Sequence, residues 1–266
     1  MIFLRNKNSR QGRDDVALGI LTSINAGLVN VCCVMAFFAF GTNVTGHVAV
    51  FAEEIAKGHW YQVTVVVGWM LAFLGGAFVA KFAALVTERA EARPWLGQVV
   101  AHVMQIALLA GVGYYGTHHY AETLFESEML VGILLFAMGL QNGGVASASD
   151  GMVKTTHLTG LFTDLGVELA LVARKRYRGD PMLRLKLFLH LGILFGYILG
   201  GLVGGVLYLR IGFSTFYLGC LLLGLLLAHD FAVLNRSRAS ALARSRARLL
   251  GRVPLAGAAE PDRDPG

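Results

Sequence analysis

Charge is what this sequence has least of. Asp, Glu, Lys and Arg make up only 15% of its 266 residues, while apolar types make up 55%; an ordinary soluble domain carries roughly 25% charged residues. The apolar residues neither alternate nor keep to one helical face. They gather in runs of about 20, the length that crosses a hydrocarbon core, which excludes a conventional soluble enzyme. Cysteine is scarce too: Cys32, Cys33 and Cys220 all fall inside apolar runs, without the spacing of a disulfide framework or a metal site. They read as small packing residues. No phosphate loop, nucleophile motif or zinc signature occurs, so no catalytic residue, metal or cofactor is assigned.

The charges that are present are clustered. Of the 23 Lys and Arg residues, four lie between Arg5 and Arg13, six between Arg174 and Lys186, and seven from Arg236 onward. Nearly all flank apolar runs, as the positive-inside rule expects of cytoplasmic segments, and this location removes the case for nucleic-acid binding that the net charge of +6 would otherwise suggest. The first run is long, contains Asn25 and Asn30, and lacks a small-x-small cleavage site, so a retained helix is expected there and not a secretory signal.

Six runs are long enough to span: 16–40, 61–86, 97–117, 128–149, 186–208 and 211–234. Two shorter stretches, Thr45–Ala56 and Thr159–Ala173, carry carboxylates and fit re-entrant or interfacial helices. With both non-spanning and the N-terminus cytoplasmic, every basic cluster falls inside, and the 116–128 loop, which has no Lys or Arg, falls outside. The expected fold is therefore all-α: a polytopic transmembrane bundle of six spanning helices plus two short ones. A basic segment over 1–15 precedes it, the membrane domain occupies 16–234, and a basic tail over 235–266 follows, with its Arg residues among Ala and Leu as for contact with anionic lipid.

The chain also repeats itself. Asn43-Val-Thr45-Gly46 followed by Glu54-Ile-Ala56 matches His157-Leu-Thr159-Gly160 followed by Glu168-Leu-Ala170, with the same internal spacing and an offset of 114 residues. Amides and glycine precede each copy: Asn25, Gly27 and Asn30 in one, Gly139, Gln141, Asn142 and Gly143 in the other. By the charge argument the helix before each copy runs in the opposite direction, so the halves (about 16–117 and 128–234) form an inverted 3+3 repeat, an architecture that places a site near the midplane.

At these residues, Asn43 to Gly46 and especially Met138-Gly-Leu-Gln-Asn142 with Thr155-Thr-His-Leu-Thr159-Gly160, the chain resembles the YoaK-type family of bacterial inner-membrane proteins, a domain of unknown function. The resemblance covers about residues 16–234. It implies a multi-pass protein of the bacterial inner membrane and supplies no reaction. Two places depart from the common family pattern: Gly27-Leu-Val-Asn30, where members carry an acidic residue after Gly-Phe-Val, and Val44-Thr45-Gly46-His47, where they carry Met-Thr-Gly-Asn.

The polar residues at membrane depth are the candidate substrate-binding set. Asn25, Asn30, Gln141 and Asn142 lie in spanning runs, where amides mark either a substrate path or interhelical bonding. Asn43, Thr45 and Gly46, with Thr156, His157, Thr159 and Gly160, surround the starts of the two short helices, where free N–H groups invite a hydroxyl cap or an anionic or polar group. Asp164 and Glu168, four apart, share one helix side and need water or a partner; Arg174 and Lys175 are the nearest cations in sequence. His118 and His119 beside Glu122 are a weak metal signal. These residues point to a transporter or channel for a small polar or anionic solute. The alternatives are an intramembrane enzyme using Asp164, Glu168 or His157, and a non-transporting scaffold or sensor. The expected partners are the lipid bilayer and a small solute, and the Gly196-x-x-x-Gly200 and Gly201-x-x-x-Gly205 spacings suit close packing within the chain or in a homo-oligomer.

Overall fold

In the computed structural model the described residues are 12–89, 96–149, 151, 153 and 155–232, excluding the side chains of 12–15, 88 and 89. Most of the N-terminal basic segment and all of the 235–266 tail lie outside the described residues. Among those described there is no strand. The order is α1 (Gly12–Phe37), α2 (Val44–Lys57), α3 (Trp60–Arg89), α4 (Leu96–His118), α5 (Leu124–Ala148), α6 (Leu158–Ala173) and α7 (Pro181–Ile211), then a 3-10 turn (Gly212–Thr215) and a helix over 216–232, called α8.

Local chemistry sets these limits. Thr123 and Glu126 close a reciprocal capping box at the start of α5, and Asp180 accepts from Met182 N–H ahead of Pro181, a residue suited to a first helical position. Gly58, at φ 72°, ends α2 in the left-handed conformation that glycine adopts without strain.

Five helical stretches are long and apolar enough to cross a membrane, and the fifth runs from Pro181 to Ala232, 52 residues. Here the structure joins the two runs at 186–208 and 211–234, with the break at Gly212–Thr215. The chain folds back at that break: Leu226 returns to the cluster containing Leu189 and Ile193, while Phe216 stays with the group around Tyr208.

The helices pair in a reciprocal way. α1 packs most closely on α7, and α3 on α5. Both pairs are parallel and rest on glycine. A Cβ on Gly27 would run into the Tyr197 carbonyl, and one on Gly200 into that of Ile24; a Cβ on Gly139 would meet the Phe73 carbonyl, and one on Gly76 that of Phe136. Only glycine lets backbones approach so closely. Gly139 and Phe136 follow Gly27 and Ile24 by 112 residues, and Tyr197 and Gly200 follow Phe73 and Gly76 by 124. The end of the bundle where α1 begins is called the near end below, and the end where it finishes the far end.

Candidate functional site

The deepest polar groups serve the bundle itself. Asn25, Gln105 and Gln141 are fully buried, and the Gln141 side-chain oxygen accepts from both Asn25 Nδ2 at 2.7 Å and Gln105 Nε2 at 2.9 Å. Gln141 Nε2 in turn donates to the Thr22 carbonyl at 2.9 Å. This amide cluster ties α1, α4 and α5 together. It also fixes their levels: Asn30, five residues beyond Asn25, stands about 9 Å nearer the far end than Asn142, which lies one residue beyond Gln141 in the opposite direction, at 1.5 Å rise per residue.

After α1 the chain turns back on itself. Thr42 donates from its N–H (3.2 Å) and hydroxyl (3.0 Å) to Asn30 Oδ1, and its hydroxyl also meets Tyr197 OH at 3.0 Å. After α5 the same device recurs. Asn142 Nδ2 donates to Thr156 Oγ1 at 2.9 Å, and Thr155 Oγ1 donates to Asn142 Oδ1 at 3.1 Å. In each half an asparagine on the preceding helix holds the chain where a short helix starts. Asn30, Asn142 and Thr156 therefore position the tips.

The tips carry the remaining residues. Asn43 is the N-cap of α2 and accepts from the Gly46 N–H at 3.2 Å, so the cap comes from Asn43 and not from the Thr45 hydroxyl. α6 starts at His157 with no side-chain cap hydrogen bond. Asn43, Thr45, His157, Thr159 and Gly160 are all exposed. Thr42 to Thr45 and Thr156 to Thr159 line one cavity of about 420 Å³, closed on one wall by Phe73 and Leu74 of α3. The two Thr-Gly segments therefore do come together.

Toward the near end, His157 also lines a second cavity, of about 290 Å³, with Asp164 and Glu168 of α6 on one wall and Lys186 and His190 of α7 on the other. Glu168 is buried and its carboxylate meets His190 Nδ1 at 3.0 Å, so its partner is this histidine and not Arg174 or Lys175. Lys186 and His190 are site residues that the sequence reading missed. Their spacing by four on the helix wall facing Asp164 and Glu168 is the signal that could have found them.

Toward the far end lies a third cavity, of about 230 Å³, which includes Val50, Glu54, Gln62 and Val66. These positions precede Asp164, Glu168, Lys186 and His190 by 114, 114, 124 and 124 residues. Between this cavity and the middle one, the buried His47 ring packs on Trp69 at 5.3 Å and its Nε2 meets the Phe40 carbonyl oxygen at 2.8 Å. His118 bonds the carbonyl of Tyr114 in its own helix, and no group of three metal-type ligands gathers among the described residues.

Long apolar helices around polar cavities define an all-helical protein of membrane-spanning character. Residues 18–229 match the family described as protein of unknown function (DUF1275), and the chain belongs to that family. No curated protein and no solved structure matches it.

Proposed function

We propose that the protein is a transporter or channel for a small polar or anionic solute, built as an inverted repeat of six crossings with two re-entrant helices, α2 and α6. In this reading the near end is cytoplasmic, both termini lie there, and the solute passes through the middle cavity. The observation that carries the reading is that the starts of α2 and α6 line one cavity from opposite halves of the chain. The shifts of 112, 114 and 124 residues support the repeat, since they relate helix pairs, tips and end cavities alike. Non-helical backbone at membrane depth is tolerated where it lines a polar cavity, which accounts for the irregular legs before each short helix. His47 and Trp69 then form the barrier on the far side, while His157 links the middle cavity to the near one.

An intramembrane enzyme is the second reading, and the near cavity, lined by the second half alone, favours it. A site shared between the halves ranks transport ahead, because an enzyme confined to one half has no use for the first tip. The test is solute flux into liposomes holding the full chain, with Thr159→Val and Thr45→Val compared with wild type. Flux that is unchanged in both variants would reject the reading.

A further inference from the structure

The pair of end cavities contains its own control. Each is lined by the short helix of one half and by the helix that follows it, the far one also by Phe37 of α1 and by Leu124, Ser127, Glu128 and Val131 of α5, so the comparison holds for the equivalent positions on the short helix and its follower. At those positions the far cavity has Val50, Glu54, Gln62 and Val66. The near cavity has Asp164, Glu168, Lys186 and His190 instead. Of these four, only Glu168 has a carboxylate counterpart. The extra charges are therefore not imposed by packing.

Their arrangement is divided by sign, with carboxylates on α6 and cations on α7. Glu168 and His190 meet each other at 3.0 Å, whereas no ion pair among the described residues joins Asp164 to Lys186, and both are exposed. Asp164 lies nine residues before the end of α6, about 14 Å at 1.5 Å per residue. A carboxylate at such a depth requires water or a counter-charge. Facing a cavity that also holds an unmatched ammonium group, Asp164 has a place for a cationic group, and Lys186 has one for an anionic group.

We propose that the near cavity is a binding site for a small zwitterion of amino-acid size, with its ammonium on Asp164 and its carboxylate on Lys186. The proposal rests on the transport reading and names the class of solute. The volume of about 290 Å³ admits a ligand of a few carbon atoms, at the low end of the roughly 300 Å³ and above usual for ligand pockets. Glu168 and His190, already joined across the two walls, leave Asp164 and Lys186 to the ligand.

The experiment is titration calorimetry of the purified full chain in detergent with L-alanine and 4-aminobutyrate, alongside propionate and propylammonium. At least one zwitterion is expected to bind ten times more tightly than either single-charge compound. Asp164→Asn and Lys186→Met should each weaken that binding at least tenfold, while Gln62→Met in the far cavity leaves it unchanged. As a second readout, L-alanine and 4-aminobutyrate should slow thiol labelling of Gly160→Cys, since Gly160 lines the cavity and has no neighbour within 4 Å of an added Cβ. That readout stands even if a charge variant melts early. Equal binding of propionate and zwitterion, or no zwitterion binding and no protection, overturns the proposal. Failure here with flux still impaired by Thr159→Val removes the zwitterion alone; binding with flux unchanged in the Thr45 and Thr159 variants removes the transport reading alone.

Discussion

Replacing Gly200 by Ala tests whether backbone contact between α1 and α7 holds the bundle. An added Cβ would lie well inside van der Waals contact with the Ile24 carbonyl, whose Cα and carbonyl carbon stand just behind it. Nothing there can rotate away, so the helices must part by roughly 1.5 Å to restore a separation of about 3.5 Å, a gap that forfeits about half or more of each dispersion contact nearby. Overpacking of this kind costs about 1–3 kcal/mol where side chains yield. A backbone neighbour puts Gly200→Ala at about 3 kcal/mol or more. Gly160→Ala is the matched control. Gly160 is also helical but has open space around it, so the change should stabilise by about 0.5–1 kcal/mol through helix propensity. At 2–4 °C per kcal/mol for a chain of this size, Gly200→Ala should melt about 6–12 °C below wild type and Gly160→Ala at or slightly above it. Gly76→Ala, the counterpart in the other pair, should match Gly200→Ala. The measurement is thermal unfolding of each purified variant in one detergent. Equal melting of the Gly200 and Gly160 variants would refute the argument.

Thr159→Val should lower solute flux at least tenfold with melting within about 0.5 kcal/mol of wild type, because no described hydrogen bond uses its hydroxyl; parallel losses in flux and melting would make Thr159 structural. Asn142→Leu should lose both, with about 2–3 kcal/mol of stability, since Thr155 and Thr156 lose their partner and the tip its anchor. Gln141→Leu should cost about 2–4 kcal/mol by leaving buried Asn25 and Gln105 unpaired, and a further Asn25→Leu should recover part of that loss in the same melts. Cysteines placed at 120 and 180 should react with an impermeant thiol reagent from opposite sides of sealed vesicles; labelling from the same side would overturn the six-crossing topology.

The helices were legible in the sequence because membrane lengths leave few choices. The runs at 61–86 and 97–117 fall inside α3 and α4, and the short stretches at Thr45 and Thr159 fall inside α2 and α6. The proposed repeat rests, in the sequence, on Thr-Gly followed by Glu at a fixed distance. Partners were not legible. Gln141 is 116 residues from Asn25, and His190 is 22 from Glu168, so neither bond leaves a local signal. The caps were misplaced for a related reason: Thr45 fits a cap by type, but the backbone enters α2 two residues earlier, at Asn43. Lys186 was counted among topology-setting charges, and its place on the wall of a cavity depends on how α6 lies against α7.

The reciprocal pairing has a consequence for how the protein is made. Pro181 lies 144 residues beyond Phe37, whereas Leu124 lies only 35 beyond Arg89. At synthesis rates of about 5–20 residues per second, α5 reaches α3 within roughly 2–7 s, while α1 waits roughly 7–30 s for α7 to begin. During that interval the Gly27 stripe has no helix against it. The hydroxyls of Thr22 and Ser23 are bonded within their own helix, to the carbonyls of Leu18 and Ile20, so they need no neighbour to remain in lipid. Asn25 does need one, and Gln141 of α5 arrives well before α7. α1 thus precedes its main contact by most of the described chain, and a chain halted before residue 181 would leave it held by the amide cluster and by its apolar packing on α5, without the glycine contact to α7.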